Sequence, residues 1–317
     1  MRLAVDLMGG DQPPELLFDA VLQVREEIDP SCTLVVIAER GAVPEDQGIE
    51  VIPSEESITM EDSPLLAVRR KKNSSMAVGM RLLKDKQIDG IVSTGNTGAL
   101  IATSILTLST LPTIDRPAFL VMLPTQKGGV AVLDVGANVQ FKSHHLIDYA
   151  RMGVLYKQNI QGVEQPTVGL LNIGAEEGKG TKEVKAAFQT LQDHFTNQDG
   201  QFLGNIEGKD VFHGKVDVLV TDGFTGNVFL KTCEGASAFL SDYLSENFTH
   251  FAIKPIVSRL AQKFNYSVHP GALLCGVDGL VVKCHGYSDQ AALKSGIRGA
   301  VDLAQKELIA KMKAQLS

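Results

Sequence analysis

The chain has 317 residues, 44% hydrophobic and 21% charged, an ordinary balance for a soluble globular protein. Its net charge of −7 argues against nucleic-acid binding, which requires a basic face. The four cysteines (Cys32, Cys233, Cys275, Cys284) form no CxxC pair or zinc spacing, and the apolar run Leu3–Val5 meets Asp6 at once. Neither a disulfide scaffold nor a signal peptide is therefore expected, and a reduced cytosol is the simplest setting.

Leu3–Asp6 reads as a short strand closed by MGGD, followed by helical spacing over Pro14–Glu27 and a β-branched run at Thr33–Ala38. Asn73–Lys86 is helical, Gly90–Ser93 a strand and Thr97–Leu108 a helix. The 24 residues Ile91–Ile114 carry no charge and could span a bilayer by length, but their glycines, Asn96, Pro112 and hydroxyls make them too polar. A strand, a loop and a buried helix are expected there. Ala118–Leu123 and Val130–Asp134 look like paired strands. Ser143–Gln158 is a helix, Thr167–Ile173 a strand and Glu183–His194 a helix. Val216–Val220 is a strand leading into a long helix from Val228. Val281–Lys283 and the stretch from Ser288 onward complete the chain. Strands alternating with helices predict one α/β domain over residues 1–317, a mostly parallel sheet flanked by helices, with a projecting helical hairpin near 228–265.

Glycine-rich polar turns follow five strand candidates: DLMGGD, STGNTGA, DVGANVQ, NIGAEEGKGT and TDGFTGN. Any α/β protein needs such turns, so one alone says little. Five of them, rich in Asn, Thr and Asp, predict an anion site at the carboxyl ends of the strands. Glycine lets the backbone approach a ligand, and a helix starting after the turn points free N–H groups at it. Neither GxGxxG with a downstream acid nor GxxxxGK[ST] occurs, so NAD and ATP are not expected, and no cofactor is. Asp6, Asp11, Asp134 and Asp222 recur at strand ends without ordered ligand spacing, so backbone tethering or capping is expected rather than a metal.

The opening MRLAVDLMGGDQPPE, with RRKKNSSM, STGNTGAL, LDVGANVQFK, LLNIGAEEGKGT, NIEGKDVFHGKVDVLVTDGFTGNVFLKTCEG and GALLCGVDGLVVKCHGYSD, resembles the PlsX family of bacterial phosphate acyltransferases over nearly the whole length. Leu7 stands where that family often has Ala, and Thr181 where Asn is common. The resemblance implies an isocitrate-dehydrogenase-like α/β fold with Rossmann-like layers, in a cytosolic homodimer. It also implies an enzyme making acyl phosphate from long-chain acyl-[acyl carrier protein] and orthophosphate, for bacterial phospholipid synthesis. A coenzyme A-dependent phosphotransacylase is the close rival, and a non-catalytic scaffold for acyl carrier protein and membrane enzymes is a third reading. The glycine-rich turns weigh against pure scaffolding.

Site roles follow from the chemistry. Orthophosphate is already ionised, so the protein must hold it in line with the thioester carbonyl and aim donors at the developing oxyanion. The first candidates are Asn227, Asn138 and Lys179, with His285 as an acid for the leaving thiolate. Gly9, Gly10, Asp11, Ser93, Gly95, Asn96, Thr97, Gly98, Gly136, Lys142, Gly174, Gly180, Asp222, Gly223, Gly226 and Lys231 are the expected substrate-binding residues. Each Asn also suits a turn or N-cap. Arg69, Arg70, Lys71 and Lys72, the densest basic run, are expected to dock the acidic acyl carrier protein or to guide phosphate; an exposed helix start is the plain alternative. Ile253, Ile256, Val257, Leu260 and Phe264, flanked by Lys254, Arg259 and Lys263, form a narrow apolar stripe. Peripheral contact with a membrane, beside a membrane-bound glycerol-3-phosphate acyltransferase, is expected of it, with a subunit contact as the alternative.

Overall fold

The computed structural model describes residues 1–44, 47–196, 200–247, 271–286 and 289–317. The chain divides into two compact units, Met1–Pro117 with His269–Ser317, and Ala118–Val268. In chain order the first unit opens with β1 (Arg2–Asp6), α1 (Pro14–Glu27), β2 (Thr33–Glu39), β3 (Glu50–Ser54), α2 (Pro64–Arg70), α3 (Ser75–Lys84), β4 (Gly90–Ser93) and α4 (Thr97–Thr107). The second holds β5 (Ala118–Thr125), β6 (Gly128–Leu133), α5 (Ser143–Gln161), β7 (Thr167–Asn172), α6 (Lys182–Phe195), β8 (Gln201–Glu207), a 3-10 turn at Gly208–His213, β9 (Val218–Val220) and α7 (Gly223–Asn247). The first then resumes with β10 (Ala272–Cys275), β11 (Leu280–Lys283), α8 (Gln290–Gln305) and α9 (Leu308–Leu316).

In the first unit the strand order is β3-β2-β1-β4-β11-β10, parallel except for β10 against β11. Parallel strands are covered on both faces and read as unbroken apolar runs, as in LAV and GIV here. In β4, Ile91 packs under α3 at Gly79, while the next residue, Val92, packs under α8 at Gly296. Successive strand residues face opposite sides, so helices cover both faces. In the second unit the order is β5-β6-β9-β7-β8, with β5 antiparallel to β6 and the rest parallel. The expected pairing of Ala118–Leu123 with Val130–Asp134 is this β5–β6 ladder.

Three strands and one helix escape the sequence pattern. β3 (EVIPS) carries a proline and is half exposed. β8 is broken by Gly204 at a register shift, and β10 is only four residues long. α2 begins at Pro64, which suits the first helical turn, and ends at Arg69–Arg70. The basic run therefore closes a helix rather than starting one, and its cations lie at the negative end of the helix dipole. The region after Ser288 is two helices, separated where Glu307 takes a positive φ of 53°. α7 starts at Gly223, five residues earlier than expected, because Asp222 caps it. The stripe of Ile253, Lys254, Ile256, Val257, Arg259, Leu260, Lys263 and Phe264 lies outside the described residues, as does the second half of the expected hairpin. Among the described residues no helix is long and apolar enough to cross a membrane.

Helix α5 sits close on β6 and β9 because Gly153 has no side chain. A Cβ there would come 2.4 Å from Val218 Cγ1 and 3.0 Å from Leu133 Cδ1, both fully buried. Gly153→Val should therefore lower the unfolding free energy by about 1–3 kcal/mol, the usual cost of overpacking. A urea titration reads this directly, and an unchanged midpoint would show that α5 shifts freely over the sheet.

Candidate active site

In the first unit, the parallel register sets three polar residues side by side where their strands end. Asp6 of β1 lies opposite Ser93 of β4, which in turn lies opposite Lys283 of β11. All three are buried. Asp6 Oδ1 accepts the Met8 amide at 3.1 Å, Asp6 Oδ2 accepts the Ser93 hydroxyl at 2.8 Å, and Ser93 Oγ accepts the Gly95 amide at 3.2 Å. One carboxyl thus shapes both the MGGD loop and the STGN loop. Burial pushes Asp6 up, against the hydroxyls of Ser75 and Ser93, the Met8 amide and the Lys283 ammonium, which pull it down. Lys283 Nζ donates to the carbonyls of Thr94 and Cys284, tying the STGN loop to the loop after β11.

The three loops converge on residues 58–62. Gly9 holds a φ of +75°, and a Cβ on it would lie 2.1 Å from the Ile58 carbonyl, so the chain passes only as glycine. Gly10 packs beside Thr94, whose buried Oγ1 has no partner among the described residues. The Asp11 amide donates to the Gly286 carbonyl at 3.1 Å, which brings MGGD beside exposed His285. Asn96 is the N-cap of α4: its Oδ1 accepts the Ala99 amide at 3.0 Å, while Nδ2 donates to the carbonyls of Thr59, Met60 and Asp62 at 3.2–3.4 Å. Its side chain is consumed by structure. Helix geometry leaves the Thr97 and Gly98 amides of the first turn without helix partners, so the donors this loop can offer are backbone ones.

In the second unit, Asp134 plays the part of Asp6. It is fully buried, with Oδ1 accepting the amides of Phe119, Gly136 and Ala137 at 2.9–3.1 Å. Its Oδ2 accepts the backbone amide of Asn138 at 2.7 Å and Asn138 Nδ2 at 3.1 Å. Burial pushes this carboxyl up, and the donors of Ala137, Asn138 and Phe119 pull it back. Asn138 therefore turns inward as part of the loop's frame. Its carbonyl accepts the Gly223 amide at 3.0 Å, and Gly226 lies against the Asp134 carbonyl, so DVGAN and the first turn of α7 form one packed body. Asp222 Oδ1 accepts the amides of Phe224 and Thr225 at 3.0 and 2.9 Å. Asn227 is exposed, sits beside Gly136 and makes no side-chain hydrogen bond among the described residues. Of the three asparagine candidates it alone presents a side-chain donor.

The loop after β7 is held from below. Asn172 Nδ2 donates to the Lys179 carbonyl and to Asn205 Oδ1, both at 3.1 Å, and Asn205 Nδ2 donates to the Glu176 carbonyl at 2.8 Å. Gly174 lies under the Lys179 side chain and Gly180 against Asn172. Lys179 Nζ is half exposed and only loosely paired, 3.9 Å from Glu176. Thr181 caps α6 through the Val184 amide, a role Asn would also fill, and Leu7 is fully buried. Lys231 is paired with Glu234 at 2.7 Å on the exposed side of α7, and exposed Lys142 precedes α5, its backbone amide donating to His145 Nδ1 at 3.0 Å. Lys71 is bound to Asp62 at 2.5 Å and to the Ser57 carbonyl at 2.8 Å, leaving Arg69, Arg70 and Lys72 as the outward cations.

Sequence reasoning missed Lys283, Asn172 and Asn205. A lysine closing the apolar run GLVVKC was the readable signal for the first. The asparagines are recognisable only once β7 and β8 are known to be neighbours. The cysteines offer no nucleophile: burial pushes Cys233 and Cys284 up to about 11, and also raises Cys32 and Cys275, so the thiols stay protonated near neutral pH.

A family model described as fatty acid synthesis protein matches residues 1–311. A phosphate acyltransferase of Chlamydia abortus is 42% identical over 326 residues, spanning 100% of this chain and 99% of that protein. One from Brevibacillus brevis is 41% identical, spanning 97% and 95%. Among solved structures, a branched-chain phosphotransacylase from Enterococcus faecalis V583 superposes with a TM-score of 0.65 at 14% identity, covering 96% of this chain and 99% of that one. The EutD phosphotransacetylase from Staphylococcus aureus gives 0.61 at 15%, covering 96% and 94%. These structures share the layered α/β fold, and the sequence relatives define an acyltransferase. The chain belongs to the PlsX family of phosphate acyltransferases.

The two asparagine roles separate by experiment. Asn96→Ala should cost about 0.5–2 kcal/mol of stability as a lost cap. Asn227→Ala should leave the urea midpoint within about 0.5 kcal/mol of wild type and lower turnover about a hundredfold, the scale of one lost oxyanion donor. Undiminished turnover would make Asn227 a plain surface residue.

Proposed function

We propose that this protein transfers a long-chain acyl group from the thioester of acyl carrier protein to orthophosphate, supplying acyl phosphate for phospholipid synthesis. Full-length similarity to phosphate acyltransferases carries this reading. A phosphate oxygen attacks the thioester carbonyl, a C–O bond forms, the C–S bond breaks, and the carrier thiolate takes a proton. Phosphate supplies the nucleophile, in keeping with thiols held protonated. In this reading Asn227 donates to phosphate or to the oxyanion, and Lys179 neutralises phosphate charge. A thiol of ordinary pKa leaves without much help, so His285 is an auxiliary proton donor at most.

The test supplies long-chain acyl carrier protein and orthophosphate, without nucleotide, and traps product as hydroxamate. Acyl hydroxamate should form at a rate that depends on phosphate. Folded protein giving none would end the reading, and faster turnover of acyl-coenzyme A would move it to the phosphotransacylase.

A homodimer in the cytoplasm, touching the membrane from one side beside a glycerol-3-phosphate acyltransferase, completes the proposal. Its support is the basic-edged apolar stripe from Ile253 to Phe264 and the poor solubility of a long-chain acyl phosphate. Wild type should co-sediment with anionic vesicles at low salt, and Leu260→Glu should not. Equal sedimentation of both would assign the stripe to a protein interface.

A further inference from the structure

Helix α2 presents an outward face that its own unit leaves uncovered. Leu65 and Leu66 are 64% and 53% exposed, whereas Ala67 is buried at 5%. Arg69 and Arg70, both exposed, follow the two leucines at i+4, so each cation stands one helical turn beyond a leucine on the same side. Exposed Lys72 continues the basic edge. Lys71 does not contribute, being held by Asp62 and the Ser57 carbonyl. The result is an apolar pair with a basic rim, in a chain of net charge −7.

This helix is fastened to the candidate active-site loops. Pro64, its first residue, fills the space over Gly98 in the first turn of α4, where a Cβ would lie 2.7 Å from Pro64 Cγ. The preceding residues 59–62 are gripped by Asn96 Nδ2, and Ile58 is packed on Gly9. Lys71 pins the far end of the helix back to the same segment. A macromolecule seated on α2 is thus registered against the STGN and MGGD loops through a few rigid contacts.

We infer that the outer face of α2 is the docking surface for the acidic carrier protein that delivers the acyl thioester, with Leu65 and Leu66 as the apolar contact and Arg69, Arg70 and Lys72 as its charged rim. The inference rests on the function proposed above. Charge complementarity selects this occupant. A second copy of the chain fits poorly, because a twofold contact through this face would set Arg69 and Arg70 against their own counterparts. An anionic bilayer fits poorly too, because two leucines on a seven-residue helix offer little surface to insert. Carrier recognition through an acidic surface needs only such a compact basic and apolar patch.

Two readouts test this: binding of fluorescently labelled long-chain acyl carrier protein by anisotropy, and steady-state turnover of acyl carrier protein beside acyl-pantetheine. The Arg69→Glu/Arg70→Glu variant should weaken carrier binding and raise its KM by about tenfold or more at low ionic strength, with the effect shrinking as salt is added. Leu65→Ser/Leu66→Ser should weaken binding with little salt dependence. Both variants should keep the wild-type melting temperature and the wild-type kinetics on acyl-pantetheine, which has no carrier surface to dock. Unaltered carrier binding in both variants overturns the inference. So does an equal loss on both donors, which would place α2 in the chemistry itself, and so does loss of dimerisation or vesicle binding with carrier affinity intact. Wild-type protein that binds carrier in this way but forms no acyl phosphate would sink the proposed function and leave the docking surface standing.

Discussion

In each unit the glycine-rich loops depend on one carboxyl group that is fully buried, Asp6 in the first and Asp134 in the second. Asp6 and Asp134 each end a strand and turn back into the protein, where they gather the amides of the loop that follows. Burying a carboxylate is costly, and the cost is offset only when charge-assisted hydrogen bonds replace water. Asp134 collects four backbone amides and one side-chain amide, which leaves the DVGAN loop little freedom to adopt another shape. The consequence for function is preorganisation: a loop already fixed by inward bonds needs no reordering when its outward groups meet an anion. Removing either carboxyl would orphan several donors at once, so each fixes the shape of the loop that follows it.

The same physics explains why two similar glycine-rich strings, alike at three of seven positions, place their asparagines differently. STGNTGA and TDGFTGN both follow a strand and open a helix, but the helix starts at a different letter in each. In the first, Asn96 is the cap and its amide is spent holding residues 59–62. In the second, Asp222 takes the cap, the helix begins at once, and Asn227 is carried to the exposed surface beside Gly136. Asn, Asp and Thr all cap well, so the letters alone do not say which one leaves the strand first. The strong periodic elements, such as α1, α5 and β4, were legible because burial imposes their pattern directly. β3 and β8 were not, being interrupted by proline or glycine and half exposed. Strand-end tethering by the aspartates was legible from their positions, whereas the buried Lys283 and the Asn172–Asn205 pair became visible only through strand neighbours distant in sequence.

Phosphate acyl transfer suits this construction. An overall net charge of −7 repels phosphate at long range, so binding must come from short-range donors. Backbone amides at helix starts can provide these without adding flexible side chains. A protein whose thiols are held protonated has no need to protect a reactive nucleophile of its own. Its task reduces to holding two bound partners in the right orientation, which is an entropic task, met by rigid loops.

Rigidity also links the proposed docking face to the loops beside it. Asn96 caps α4 with its oxygen and grips the segment before α2 with its nitrogen, so a single side chain joins the loop that offers amides to the helix that offers leucines and arginines. An amide side chain does this where Asp could not, because the cap needs an acceptor and the three carbonyls of residues 59–62 need a donor. Aspartate in its place would keep the cap but set a negative charge against those carbonyls. Alanine would free both partners. Asparagine is in this sense a joint with two incompatible demands, and only a residue carrying both an acceptor and a donor at its tip satisfies them.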